Sequence, residues 1–232
     1  QLSWGGLPPS SYDANLADTA PTVMMAPVQV ERLMAEDEAR GKSGPYRFGE
    51  EIAVTLTPEN SGVWSQAENG DRVWRMRVAS PGAYSISMIF DQFVMTPGAE
   101  LYVYNDARTS VYGMYTSLNN NADGSFAFQP LPGQAVTLEL VEPANTVPSL
   151  LSIGTVVHDY RDVFAVISKG AVLPKAAGAC NNDVNCPVGA PWGDQIRSVA
   201  AIFIGGGVCS GSMINNTAND GTQYFITANH CG

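Results

Sequence analysis

The four cysteines of this 232-residue chain all lie after Ala179. That asymmetry constrains the fold more than any other feature. The first three quarters must hold together by burying apolar surface, whereas the last stretch can also be closed covalently. An even number of cysteines in one segment points to disulfides and to an exported protein, extracellular or periplasmic. Zinc is the other use of clustered cysteines. Here Cys180 and Cys186 are separated by five residues and His230 lacks the spacing of a finger or ribbon, so no metal is expected. No cofactor is expected either.

Composition says how the cysteine-free part folds. Hydrophobic residues make up 45% and charged residues only 15%, with 23 glycines and 15 prolines, a mixture that suits turn-rich β structure. A net charge of −10 argues against nucleic acid, which demands a basic surface. No run of 18 apolar residues is present, so no membrane span is expected. Gln1 opens the chain without a basic and apolar leader, which fits either a leader already removed or a sequence trimmed to the same point.

Along the chain, Pro8, Pro9, Pro21 and Pro27 break any long element in residues 1–27, leaving an extended arm that packs elsewhere, the later residues being one possible surface. Residues 28–41 read as a helix. Val30, Leu33, Met34 and Ala35 fall at helical spacing, Glu31, Arg32, Glu36, Asp37 and Glu38 take the other face, and Gly41 supplies a stop. It is either a docking helix or a small surface helix, and its charge pattern favours the second. Short alternating runs then follow between turns: 51–57, 72–78, 84–90, 100–105, 110–115, 125–128 and 135–141. In 72–78 the valines, Trp74 and Met76 are expected on one face and the arginines on the other. About seven strands at this spacing predict a β-sandwich or jelly roll. Trp64, Tyr112 and Tyr115 are its candidate sugar-stacking aromatics, against the commoner fate of core or rim packing. Residues 150–167 form a further apolar segment. His158 and Asp159 are neighbours on it and point to opposite faces, so they do not read as a dyad. Residues 168–179 are a small-residue linker carrying Lys169 and Lys175.

The end of the chain carries the chemistry. Cys209-Ser210-Gly211-Ser212-Met213-Ile214 is followed by Asn215-Asn216-Thr217-Ala218-Asn219 and then by Phe225-Ile226-Thr227-Ala228-Asn229-His230-Cys231, with Cys180 and Cys186 upstream. These motifs, in this order, resemble the opening of a chymotrypsin-fold serine protease, most closely the bacterial lysyl endopeptidases. The resemblance covers about the last 55 residues and implies that 196–204 and 208–214 are the first strands of a chymotrypsin-like β-barrel. It implies that His230 is the general base of a catalytic triad and that Cys209–Cys231 is a disulfide closing the hairpin beside it. It also implies a secreted zymogen, with an inhibitory and folding-assisting proregion before the protease domain and protein substrates cut after lysine. Self-cleavage would follow Lys169 or Lys175. In this family the aspartate, the serine and the oxyanion donors lie beyond the histidine turn. No Gly-x-Ser-x-Gly motif surrounds Ser210 or Ser212, so residues 1–232 alone are expected to be inactive.

The sandwich also resembles the proregion of that family, on Trp74-Arg75-Met76-Arg77-Val78-Ala79-Ser80-Pro81-Gly82-Ala83 and Pro97-Gly98-Ala99-Glu100-Leu101-Tyr102-Val103-Tyr104-Asn105. The expected organisation is an arm and helix (1–50), a sandwich proregion (51–167), the linker (168–179) and the start of a trypsin-like domain (180–232). Two other functions fit a chain of this kind: a non-catalytic exported β-sandwich that binds carbohydrate or protein, or a stand-alone protease inhibitor. Cys180 and Cys186 pair with each other, stay free or bridge elsewhere.

Overall fold

A computed structural model describes residues 3, 5–16, 19–41, 44–168 and 186–231, without the side chains of 166–168. The fold is mainly β. Its elements are β1 (Thr22–Met24), α1 (Val30–Arg40), β2 (Tyr46–Arg47), β3 (Gly49–Leu56), β4 (Val63–Gln66), β5 (Arg72–Ala79), β6 (Ser85–Val94), β7 (Glu100–Asn105), β8 (Val111–Tyr115), β9 (Phe126–Ala127), β10 (Leu131–Pro132), β11 (Ala135–Glu142), β12 (Leu150–Asp159), α2 (Val163–Ser168), α3 (Gly193–Ser198), β13 (Val199–Ile204), β14 (Gly207–Ile214) and β15 (Tyr224–Thr227). They form two compact units, Gln1–Gln29 with Glu50–Tyr160, and Val30–Gly49 with Arg161–Gly232.

The first unit is a sandwich. One sheet runs β1-β5-β11-β7-β8, with β4 also on β5; the other runs β10-β6-β12-β3, with β9 also on β6. Period-two alternation sends Trp74, Met76 and Val78 of β5, Val136, Leu138 and Leu140 of β11, and Ile86, Met88 and Phe90 of β6 into one shared core. Phe126 is the hub of its aromatic part, stacked on Phe93 at 4.0 Å and edge-on to Phe90 and Tyr115 at 5.7 and 4.9 Å.

All eight residues of β11 are buried because its other face is covered too. Val73, Tyr102, Tyr104 and Val141 form a second apolar cluster there with Leu16 of the N-terminal arm. Val73 therefore lies on the opposite face from Trp74 and Met76, not beside them, as strand alternation requires. The arm packs on the sandwich itself and is pinned by buried polar groups. Glu139 accepts hydrogen bonds from the Ser10 amide (2.8 Å), the Ser10 hydroxyl (2.5 Å) and the Tyr104 hydroxyl (2.8 Å). Arg75, opposite Glu139 in the β5–β11 register, donates to the Leu16 carbonyl at 2.6 Å. Burial first, and then the Glu139 charge, push the Tyr104 phenol up to about 12.

The proposed sugar platform does not form. Tyr115 is buried, and Trp64 and Tyr112 are half-buried against the core. The Trp64 ring is covered by Arg72 at 4.1 Å and its indole donates to the Pro58 carbonyl, while the Tyr112 hydroxyl donates to the Pro130 carbonyl.

His158 and Asp159 take separate partners, as their alternation requires. Nδ1 of His158 lies 2.7 Å from the Ser80 hydroxyl, and the Ser85 hydroxyl donates to Asp159 at 2.7 Å. Both residues are buried, so His158 is a structural residue of the core. Desolvation holds its pKa below the ordinary value, with Asp159 opposing the shift.

The apolar segment 150–167 is divided between β12 in the first unit and α2 in the second. β12 ends at Asp159; Asp162 takes a positive φ of 51°, and its carboxylate accepts from the Ala165 amide to start α2. Likewise Ile196–Ser198 belongs to α3, where Arg197 pairs with Asp194 and Ser198 donates back to the Gln195 carbonyl. Antiparallel β13, β14 and β15 follow. Val199, Ile204, Met213, Ile214, Tyr224, Phe225 and Ile226 of this sheet are exposed. No described helix is long and apolar enough to cross a membrane.

Candidate active site

His230 sits in a single 3₁₀ turn, Asn229–Cys231, directly after β15. Three restraints fix that turn on β14. The first is the ladder, in which Thr227 lies opposite Gly211 and Ile226 opposite Ser212. The approach is close enough that a Cβ on Gly211 would fall inside van der Waals contact with the Phe225 ring and 2.6 Å from the Ile226 carbonyl oxygen. A glycine in the Cys-Ser-Gly-Ser motif is thus a packing requirement. The second is the Thr227 hydroxyl, which donates to the Ser210 carbonyl at 2.9 Å. The third is the Cys209–Cys231 disulfide, with a Cα–Cα distance of 6.1 Å and both cysteines buried. The turn itself is closed by the Cys231 amide donating to the Ala228 carbonyl at 2.9 Å.

The His230 ring lies within 4.8 Å of both bridge sulfurs and is otherwise exposed. Those sulfurs are committed to each other, so this trio offers no thiolate pair to a metal. Among the described residues no serine hydroxyl and no carboxylate hydrogen-bonds to His230. The Ser212 hydroxyl is engaged elsewhere, meeting the Ser198 hydroxyl at 2.8 Å. The scaffold positions a histidine, and a triad would need an aspartate and a serine from outside it.

The loop between β14 and β15 is ordered by its own side chains. Asp220 accepts from the Asn216 amide group at 2.5 Å and from the Thr222 backbone at 2.9 Å, and these bonds, Asn216 first, hold its carboxyl at about 2. The Asn-Asn-Thr-Ala-Asn motif therefore has a local structural role. Cys186 is exposed and unpaired among the described residues, whereas Lys169, Lys175 and Cys180 lie outside them. The sequence reading missed the Thr227–Ser210 bond and the close approach at Gly211. The signals were present as the threonine and glycine of the two motifs, but only the strand register joins them.

Residues 174–232 match the family model described as the lysyl endopeptidase C-terminal domain. That match contains α3, β13, β14, β15 and the whole histidine turn. No solved structure matches the chain. Over this segment the chain is lysyl endopeptidase-like.

Proposed function

We propose that the chain is the precursor form of a secreted serine endopeptidase that cleaves after lysine, with residues 1 to about 175 serving as proregion and the remainder as the start of the protease domain. The observation that carries this reading is the coincidence of the family match at 174–232 with a histidine turn tied to β14 by the ladder and the disulfide. His230 would take the proton of a serine hydroxyl as it attacks the peptide carbonyl and return it to the leaving amine. The serine, its orienting aspartate and the lysine pocket belong, on this reading, to further residues of the parent polypeptide, and residues 1–232 alone are inactive. The exposed apolar residues of β13–β15 support it, because such a surface suits the rest of a β-barrel.

The test uses the protein secreted by its natural host. A fluorophosphonate should label it covalently, peptides should be cut after lysine, and the mature enzyme should begin at Gly170 or Ala176. His230→Ala should abolish hydrolysis while leaving secretion intact. Absence of labelling, together with an intact mass of 24.6 kDa, would overturn the assignment and leave a binding module or an inhibitor.

A further inference from the structure

The strand β14 has two edges. β13 takes one of them over Gly207–Ser212. β15 takes the other, but only over Gly211–Ile214. The remainder of that second edge is filled by β2, with Arg47 opposite Gly207 and Tyr46 opposite Val208. The pairing continues as the Phe48 and Gly49 amides both donate to the Gly206 carbonyl, at 2.8 and 3.0 Å. β2 is thus an added strand from the far N-terminal side of the linker, end to end with β15, which leads into the His230 turn.

Side chains make this seam specific. Phe48 is fully buried and meets Phe203 of β13 edge-on at 5.6 Å. Gly206 has no room for a Cβ, which would fall inside contact distance of the Gly49 carbonyl, and a Cβ on Gly207 would stand 3.0 Å from Pro45. Behind the strand, Arg47 is clamped to α1. It donates to Asp37 (2.8 Å), the Leu33 carbonyl (3.1 Å) and Glu36 (3.2 Å). Asp37 also accepts from Arg161 at 2.7 Å, and the Arg161 guanidinium lies over the Tyr46 ring at 5.4 Å. The helix that charge pattern alone would leave on the surface is the brace of a docking strand.

We propose that Pro45–Gly49, braced by α1 and Arg161, is the grip by which the proregion holds its own protease segment: a β-strand-addition element whose partner is the open edge of the β13–β14 hairpin. Backbone hydrogen bonds give such a contact its strength, and the Phe48 site gives it selectivity. The inference rests on the proposed division of the chain at the linker. Cleavage there leaves 45–49 and Arg161 on one piece and the hairpin on the other, and the two pieces stay together through this seam.

The experiment uses the full chain carrying Lys42→Arg, so that Lys169 and Lys175 are the remaining lysines. It is nicked under native conditions with a lysine-specific endopeptidase and run on size exclusion, with mass spectrometry of each peak. The C-terminal piece should elute with the N-terminal piece. Phe48→Ala and Gly206→Val, one on each side of the seam, should each release it, while their uncut forms keep the parent circular dichroism. Hydrogen exchange on uncut chain gives a second readout: the Phe48 and Gly49 amides are protected, and Gly206→Val removes that protection. Release from the Lys42→Arg parent itself, or retention by both seam variants, overturns the proposal. Neither result bears on fluorophosphonate labelling of the secreted enzyme. Loss of that labelling would likewise leave co-elution unchanged, so the two readings fail separately.

Discussion

Removing the Cys209–Cys231 bridge should release the histidine turn, and the structure sets the size of the effect. The bridge closes a sequence separation of 22 residues. Loop-closure entropy for that length is about 11 cal/mol/K, or roughly 3.4 kcal/mol at 25 °C. The competing local restraints are weaker. The Thr227–Ser210 and Cys231–Ala228 hydrogen bonds contribute about 1 kcal/mol each. The bridge therefore outweighs both together. In Cys209→Ala/Cys231→Ala the Cys231 amide should lose hydrogen-exchange protection by about 300-fold, since every 1.36 kcal/mol is a factor of ten. The urea midpoint of the β13–β15 unit should fall by about 1–3 M for slopes of ~1–3 kcal/mol/M. Reduced wild-type chain should reproduce the variant, which separates loss of the cross-link from loss of the sulfur atoms. Protection within about fivefold of wild type, equivalent to about 1 kcal/mol, would refute the reasoning. The turn would then be held by its ladder and hydrogen bonds alone.

Phe126→Ala should destabilise the sandwich by about 3–5 kcal/mol in urea unfolding, because it removes the ring that Phe90, Phe93 and Tyr115 all contact; a loss below about 1 kcal/mol would contradict that role. Glu139→Gln should bring the Tyr104 phenol down from about 12 in a spectrophotometric titration, and should speed proteolysis of residues 8–16, as the charge-assisted bonds to Ser10 contribute about 1.5–3 kcal/mol each. His158 is buried with its folded pKa below the ordinary value near 6.5, so its contribution to stability is present above that pH and is lost as the pH falls toward the folded value. His158→Gln should flatten this part of the stability–pH curve measured by thermal unfolding, and an unchanged slope would assign the acid sensitivity to other groups.

The parts legible in the sequence are those set by local pattern. Strand alternation gave β5, β6, β7 and β11, and the 3.6-residue period gave α1, whose one fully buried apolar residue is Leu33. The motifs at 209–214 and 225–231 located β14, β15 and the histidine turn. What the pattern hid was set by partners distant in sequence. The polar outer face of β11 is buried because Leu16 and Ser10 fold back over it, which no window around Glu139 reveals. Trp64 reads as an exposed aromatic until Arg72 is placed across it. Residues 163–168 carried no period of their own and 196–198 were read with the strand that follows them, because both runs are short; the Asp162 cap and the Asp194–Arg197 pair mark them as α2 and α3. Tyr46–Arg47 is too brief to announce itself as a strand and takes that form from its pairing with β14.

That pairing imposes an order on synthesis. Arg47 meets Gly207 about 160 residues later in the chain, an interval of roughly 8–30 s at ribosomal rates of ~5–20 residues per second. The sandwich needs nothing beyond β12 and can close while the ribosome is still reading the linker. Residues 30–49 are therefore an early product with a late use, looped out between two sandwich segments until β13 and β14 emerge. Slower translation between residues 160 and 207 would prolong the exposure of Phe48 without delaying the sandwich.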